Sequence, residues 1–238
     1  MHTYDRNYFK IALPAALEGL FMILLASTDL IMVGALGALS IAAVSIFLQP
    51  RLILLCFSRS LASSVTLLVS KKAGAGDTAG SADIMKKSLT LCAIFMGLLH
   101  ILFYIFLDDI FYLMGANDEY MAEAMAYGSI ALASVYVTSL TLILQAVQLG
   151  YGRTSVIMKT NVCGNVVNLA LNALLIFGFG PIPSLGVTGA AIGTLASTIF
   201  TLTWTAWILK NESFFSGGSY LPDRAYFHRM MPILLSIL

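Results

Sequence analysis

Six stretches of this chain are long and apolar enough to cross a bilayer, whose hydrocarbon core takes about 20 residues of helix. They are Ile11–Gly34, Ala42–Ser70, Ser88–Leu107, Ala126–Leu149, Val156–Phe179 and Val187–Leu209. Backbone polar groups in lipid must be satisfied within the segment, so runs of this length fold as helices. The expected fold is an all-α membrane protein, a six-transmembrane-helix bundle followed by the start of a seventh helix. Composition points the same way. Apolar residues make up 59% of the chain, charged residues 11%, and mean hydropathy is +0.89, which leaves too little polar surface to cover a water-soluble fold. A net charge of +1 offers no basic face for phosphates and argues against nucleic acid as a partner.

The connections alternate in charge. Lys71, Lys72, Lys86 and Lys87 lie between spans two and three, Arg153 and Lys159 between four and five, and Lys210, Arg224 and Arg229 after six. The opposite connections carry no Lys or Arg: Ala35–Ile41 is small and apolar, Asp108–Glu119 acidic, Gly180–Gly186 rich in Gly and Pro. The excess of Lys and Arg on one side places the N-terminus in the cytoplasm, and an even span count returns the chain there. The expected setting is a multi-pass protein of the plasma membrane, with lipid as its surroundings.

After the sixth span the sequence repeats its own opening. Tyr8-Phe9-Lys10-Ile11-Ala12-Leu13-Pro14 aligns without gaps to Tyr226-Phe227-His228-Arg229-Met230-Met231-Pro232. Internal repeats are a common transporter architecture, so the expected division is a six-helix lobe over 1–210, a cytoplasmic linker over 211–225, and the start of a truncated second repeat over 226–238. A truncated product is the favoured reading of that boundary, beside a partial gene and a half-transporter that pairs with another copy. The missing second lobe or another copy of the chain is then an expected partner.

Ionisable residues inside spans are costly and mark functional sites. Asp29 lies deep in span one, and Glu18, eleven positions earlier, falls within ~20° of the same helix face. Arg51 and Arg59 of span two come to comparable depths, so buried ion pairs with these carboxylates are one arrangement; lining of a common cavity is the other. On span five Asn161, Asn165, Asn168 and Asn172 recur at spacings of four, three and four and form an amide stripe. Thr194, Thr198, Thr201 and Thr205 draw a similar line on span six, as do Ser134, Thr138, Thr141, Gln145 and Gln148 on span four. Amide oxygens suit a weakly held hard cation, and amides also bond a carboxylate as it changes protonation state. The plainer role for the stripes is hydrogen-bonding between helices. Asp29, Asn168, Asn172 and Thr194 fall at similar depth and can face one cavity; Glu18, Asn165, Gln145 and Thr138 are further candidates for lining it. Pro14 and Pro50 are candidate bending points.

Other chemistry finds little support. Cys56, Cys92 and Cys163 sit in apolar runs without metal-ligand spacing, and His2, His100 and His228 are dispersed. Gly74-x-Gly76 lacks the further Gly or Lys-Ser/Thr of a nucleotide loop and reads as a tight turn. No catalytic constellation and no cofactor are implied, which sets an intramembrane enzyme last among the readings.

Taken together, several segments resemble the multidrug and toxic compound extrusion (MATE) transporters along nearly the whole chain. They are Asp29-Leu30-Ile31-Met32-Val33-Gly34 with Ala42-Ala43-Val44, Gly74-Ala75-Gly76-Asp77, Leu149-Gly150-Tyr151-Gly152-Arg153-Thr154, Asn168-Leu169-Ala170-Leu171-Asn172 with Ile176-Phe177-Gly178, and Gly186-Val187-Thr188-Gly189-Ala190-Ala191-Ile192-Gly193-Thr194. The resemblance implies a two-lobe antiporter of about twelve spans that exports cationic or amphipathic compounds in exchange for Na⁺ or H⁺. It maps the family's amino-lobe cation site onto Asp29, Asn168, Asn172 and Thr194. Where some members have Asp at the second position of the span-five motif this chain has Asn172, which lowers the site's charge and leaves the ion open. A related flippase for lipid-linked saccharides is the alternative, toward which Arg51 and Arg59 point and the Asp–Asn–Asn–Thr set does not; a non-functional fragment is another.

The topology predicts that, on a background lacking the three native cysteines, an impermeant thiol reagent applied outside intact cells labels a cysteine placed at residue 117. A cysteine at residue 210 should stay unlabelled until the membrane is opened; the reverse pattern would invert the orientation.

Overall fold

The computed structural model describes residues 13, 16–17, 19–20, 23–24, 27–181, 183–212 and 214–237, and helices dominate it. The first span is described in part: helix α1 is continuous over 27–34. It is followed by α2 (Ala38–Ser45), α3 (Leu48–Gly74), α4 (Thr78–Ile105), α5 (Leu107–Leu113), α6 (Met121–Gly150), α7 (Thr154–Phe177), α8 (Gly186–Asn211) and α9 (Arg224–Ile237). Among the described residues five helical stretches are long and apolar enough to cross a membrane: Ala38–Gly74, α4, α6, α7 and α8. Glu18 and Pro14 lie outside the described residues.

Two boundaries differ from the sequence reading. Span two begins earlier and is interrupted: α2 and α3 meet at Ile46–Phe47, four residues before Pro50. Proline has no N–H to return to the carbonyl four residues back, and its ring crowds that carbonyl, so the disturbance falls at Ile46 rather than at Pro50 itself. Phe47, released from the regular ladder, is driven into the core, where it meets Phe111 and Tyr127 edge to face at 6.5 and 5.9 Å. Helix α4 starts ten residues before the expected Ser88, at Thr78, because Asp77 caps it by accepting a bond from the Gly80 N–H at 2.7 Å.

Helix α6 is the hub. It packs against α2, α3, α4, α7 and α8. Its buried positions include Ala124, Gly128, Ala131, Ser134, Val135 and Ser139, small side chains that let neighbouring backbones come close where no hydrophobic force separates helix from lipid. A Cβ at Gly128 would lie 2.6 Å from the Phe111 ring. Ser58 of α3 donates to Ser139 at 2.7 Å, Thr66 to the Ala146 carbonyl at 3.3 Å, and Tyr136 to the Ala93 carbonyl of α4 at 3.3 Å. Each bond is worth only ~0.6 kcal/mol in a membrane protein, so they align helices that packing already holds.

The chain beyond α8 folds back onto the bundle. Phe214 is buried and meets Tyr151 edge to face, while Glu212 pairs with Arg153. Lys86 and Lys87, which the sequence marks simply as basic loop residues, are buried on α4. Lys87 bridges Asp83 at 2.7 Å and Asp223 at 2.8 Å, and Lys86 donates to the carbonyls of Phe215 and Gly217. Ser88 and Tyr226 share a bond of 2.8 Å, and Asp223 caps α9 by accepting from the Tyr226 N–H at 2.7 Å. Helix α9 is thereby held against α3 and the base of α4.

The Lys87 ammonium and the Tyr226 N–H hold the Asp223 carboxyl below its ordinary range. A depressed carboxylate contributes stability in full above its unfolded value, near ~3.9, and loses it as the pH falls through the lower folded value. Amide exchange over residues 214–230, corrected for its intrinsic pH dependence, should therefore be slow and level from neutral pH down to about pH 4 and accelerate below it. Lys87→Met, which leaves Asp83 and Asp223 facing each other, should accelerate it already at neutral pH. Unchanged protection in that variant would remove the lysine as the clasp.

Candidate ion site

The hairpin of α7 and α8 builds the floor of the site. Gly178 ends α7 with φ 76°, a left-handed conformation natural to glycine, and Leu185 then returns a bond of 2.8 Å to the Leu175 carbonyl. The two helices run back to back at short range because Gly189 and Gly193, four apart on α8, present no side chain to α7. A Cβ at Gly189 would fall on the Leu175 carbonyl, and one at Gly193 on the Asn172 side chain. The close approach turns Asn168 and Asn172, both buried, toward α8 and α1.

At the meeting point lies Asp29 of α1, half-buried. Asn172 Nδ2 donates to Asp29 Oδ1 at 3.0 Å. The Asn168 amide fits in two orientations. In one, Asn172 Nδ2 also donates to Asn168 Oδ1 at 3.3 Å and Asn168 Nδ2 donates to Thr194 Oγ1 at 3.4 Å. In the other, Asn168 Nδ2 donates to both Asp29 oxygens, at 3.0 and 3.3 Å, and its oxygen accepts from Ser197 at 3.3 Å. The second satisfies more of the buried polar atoms and gives the carboxylate two amide donors. Thr194 Oγ1 donates to its own helix at Ala190, 2.9 Å away, which leaves its lone pairs facing the amides. Asn172 Oδ1 is buried without a hydrogen-bond partner among the described residues.

One helical turn away from this polar layer, on all three helices, lies an apolar one. Val33 follows Asp29 by four, Ile176 follows Asn172 by four, and Ala190 precedes Thr194 by four; these three are buried together, with Met32, Val44 and Tyr127 packed around them. The apolar layer lies on the side of the non-basic loops, so it caps the polar layer from that side. From Asn172 to the end of α7 is five residues, ~7.5 Å at helical rise, which puts the site in the half of the bundle nearer those loops.

The structure thus brings Asp29, Asn168, Asn172 and Thr194 together. Of the proposed cavity-lining residues, Asn165 lies one turn below Asn168, half-buried and engaged in an interaction of its own. Gln145 and Thr138 make their hydrogen bonds elsewhere. Gln145 Nε2 donates to Asn161 Oδ1 at 2.7 Å and joins α6 to α7 nearer the basic end, and Thr138 donates to the Ser134 carbonyl of its own helix at 2.8 Å. Arg51 and Arg59 are exposed, and neither forms an ion pair with a carboxylate among the described residues. The ion-pair reading of Asp29 gives way to an amide-held carboxylate. Ser197 and the packing role of Gly193 escaped the sequence reading. Ser197 lies one turn past Thr194, off the threonine line, and the Gly189-x-x-x-Gly193 spacing, a known mark of close helix contact, is the signal that finds the second.

Chemically, each amide has a donor end and an oxygen end. With nitrogens facing Asp29 the group holds a bare carboxylate. Turning either amide by 180° about its terminal bond would present oxygens instead, and together with Thr194 Oγ1 and the carboxylate these make a hard-donor set for a small cation. A proton on Asp29 would achieve the same neutralisation without that turn.

The sequence profile of the MatE family matches residues 14–174. Among curated proteins the chain is similar to the probable multidrug resistance protein NorM of Rhizobium meliloti, at 26% identity over 210 residues, covering 88% of this chain and 45% of that protein. It is similar also to the FAD transporter of Shewanella oneidensis, at 27% identity over 210 residues, covering 86% and 45%. Among solved structures, the outward-facing conformation of a multidrug resistance MATE family transporter matches 97% of this chain and 52% of its own, with TM-score 0.85 at 24% identity, a likeness of fold. The chain spans about half the length of the curated relatives it matches.

Gly193→Ala would place a methyl against the Asn172 amide. Overpacking of this kind costs about 1–3 kcal/mol, so the variant should unfold at lower temperature in detergent, while Gly97→Ala, whose added carbon meets its nearest neighbour at 3.8 Å, should be neutral. Equal melting of both variants and wild type would mean that the α7–α8 approach tolerates a Cβ.

Proposed function

Because the chain belongs to the MatE family, we propose that it is the first lobe of a secondary antiporter in which Asp29 couples ion entry to export of cationic or amphipathic compounds. The observation that carries this reading is the intramembrane carboxylate held by Asn168 and Asn172. A charge at that depth is costly unless it is used. Sodium or a proton arriving at Asp29 cancels its charge, and sodium also changes which amide end faces it. An ion bound more tightly in one helical arrangement than in another shifts the balance between them by that difference in affinity. The unpartnered Asn172 Oδ1 is an oxygen with a role only when something electropositive arrives. In this reading α9 opens a second repeat, residues 211–225 connect the two lobes, and the basic loops face the cytoplasm of a plasma membrane. The compounds would pass through the cleft that α3 and α9 border, where Leu52, Leu55, Cys56 and Arg59 face Ile237 across a cavity of about 320 Å³.

In proteoliposomes containing the lobe joined to its second repeat, Asp29→Asn should abolish substrate efflux driven by a Na⁺ or H⁺ gradient, a loss of at least tenfold, while the protein stays folded. Replacing one gradient by the other in wild type identifies the ion. Efflux at the wild-type rate with wild-type ion dependence in Asp29→Asn would return the carboxylate to a packing role.

A further inference from the structure

On the face of α6 turned away from the Asp29 layer, a groove of about 420 Å³ runs between α6 and α4, lined from α4 by Gly97, His100, Ile101 and Tyr104 and from α6 by Leu132 and Tyr136. Gly97 creates the space, since α4 carries no side chain where Tyr136 crosses it. The groove is apolar apart from aromatic hydroxyls, the Ser129 hydroxyl and one buried imidazole. His100 Nδ1 lies 2.6 Å from the Met96 carbonyl. A carbonyl only accepts, so Nδ1 carries the proton, and the neutral ring has its lone pair at Nε2. That atom is buried and has no hydrogen-bond partner among the described residues. The His100 ring, stacked edge to face on Tyr136 at 5.5 Å, is held in place rather than free to turn to water.

The position of the groove tells what covers it. At ~100° per residue, Ser88, which bonds Tyr226 of α9, and Phe95, which meets Phe57 of α3, project ~160–180° from Gly97 around α4. The chain that follows the lobe therefore approaches α4 from the opposite side, while Ile94, Leu98, Ile101 and Ile105, flanking the groove, are exposed as a lipid-facing arc would be. His100 lies five residues from the end of α4, ~7.5 Å, as far as Asn172 lies from the end of α7, and Tyr104 stands in the last turn, at the level of an aromatic belt. The chain just beyond this end of α4 is electronegative: Asp108 and Asp109 open α5, Asp118 and Glu119 follow, and no Lys or Arg occurs between Ser88 and Gly152. The carbonyl end of α4 adds the negative pole of its dipole.

We propose that this groove binds a membrane phospholipid whose headgroup is a primary ammonium. One acyl chain lies along Gly97 and Ile101, and the ammonium donates to the acceptors at the rim, His100 Nε2 among them. An anionic headgroup meets repulsion there, and a quaternary ammonium has no N–H to give. The proposal rests on the membrane embedding and the groove, not on the transport reading.

The test is thermal unfolding of the purified chain in detergent, supplemented in turn with phosphatidylethanolamine, phosphatidylglycerol and phosphatidylcholine of identical acyl chains. Phosphatidylethanolamine should raise the midpoint about 3 °C or more beyond the other two, as expected of a ligand that binds only the folded state. Gly97→Leu, which fills the groove, and His100→Leu, which removes the acceptor, should each erase that excess, whereas Ile94→Ala should keep it. Gly97→Leu decides alone if His100→Leu does not fold. Equal stabilisation by the three lipids, preference for phosphatidylglycerol, or an excess that survives in either folded groove variant would overturn the proposal. So would dimerisation without lipid preference that Gly97→Leu abolishes, which assigns the groove to a second copy.

Discussion

A carboxylate at hydrocarbon depth has to be met by hydrogen-bond donors, and in this bundle the nearest are amide nitrogens rather than cations. Asn172, and Asn168 in its better-satisfied orientation, reach Asp29 only because α7 and α8 lie close enough to turn both amides inward. That approach depends in turn on glycines at 189 and 193. The polar layer of three helices is then closed by Val33, Ile176 and Ala190 one turn on. A neutral donor set differs in kind from an arginine partner. An arginine would fix the charge state of the carboxylate, whereas amides accommodate the charged form with their nitrogens and a cation with their oxygens.

The rest of the bundle frames that polar layer. Helix α6, lined with small residues, keeps α3, α4 and α8 at close range, and its hydrogen bonds to α3 and α4 run through Ser58, Thr66 and Tyr136. The interruption four residues before Pro50 places Phe47 against Tyr127, and Tyr127 in turn packs on the apolar layer beside Asp29. The irregular part of span two and the polar layer of spans one, five and six are therefore linked through one side chain, Tyr127.

Much of this was legible in the residues. Long apolar runs and alternating loop charge carry the helices and their order, since both follow from what lipid forbids. The amide stripe picked out Asn168 and Asn172 because helical spacing keeps them on one face. What could not be read is where a long side chain reaches. Gln145 shares the rhythm of its neighbours yet bonds Asn161, and Arg51 and Arg59 have the right depth for Asp29 but no ion pair with it. Periodicity gives the face of a helix and not the partner across it. The early start of α4 was hidden because Asp83, Lys86 and Lys87 look like loop residues until the segment after α8 folds over them.

That folding-over has a consequence for biogenesis. Lys86 and Lys87 are enclosed by carbonyls and a carboxylate from residues 215–223, more than a hundred residues downstream of them. Until residues 215–223 have been made, Lys86 lacks these carbonyls and Lys87 has only Asp83, one helical turn back on α4. The base of α4 is finished only when the chain past α8 arrives and Asp223 closes on Lys87, which also delivers Tyr226 to Ser88. One acidic residue thus ties the start of α9 to the base of α4, gripping Lys87 and the Tyr226 N–H at once.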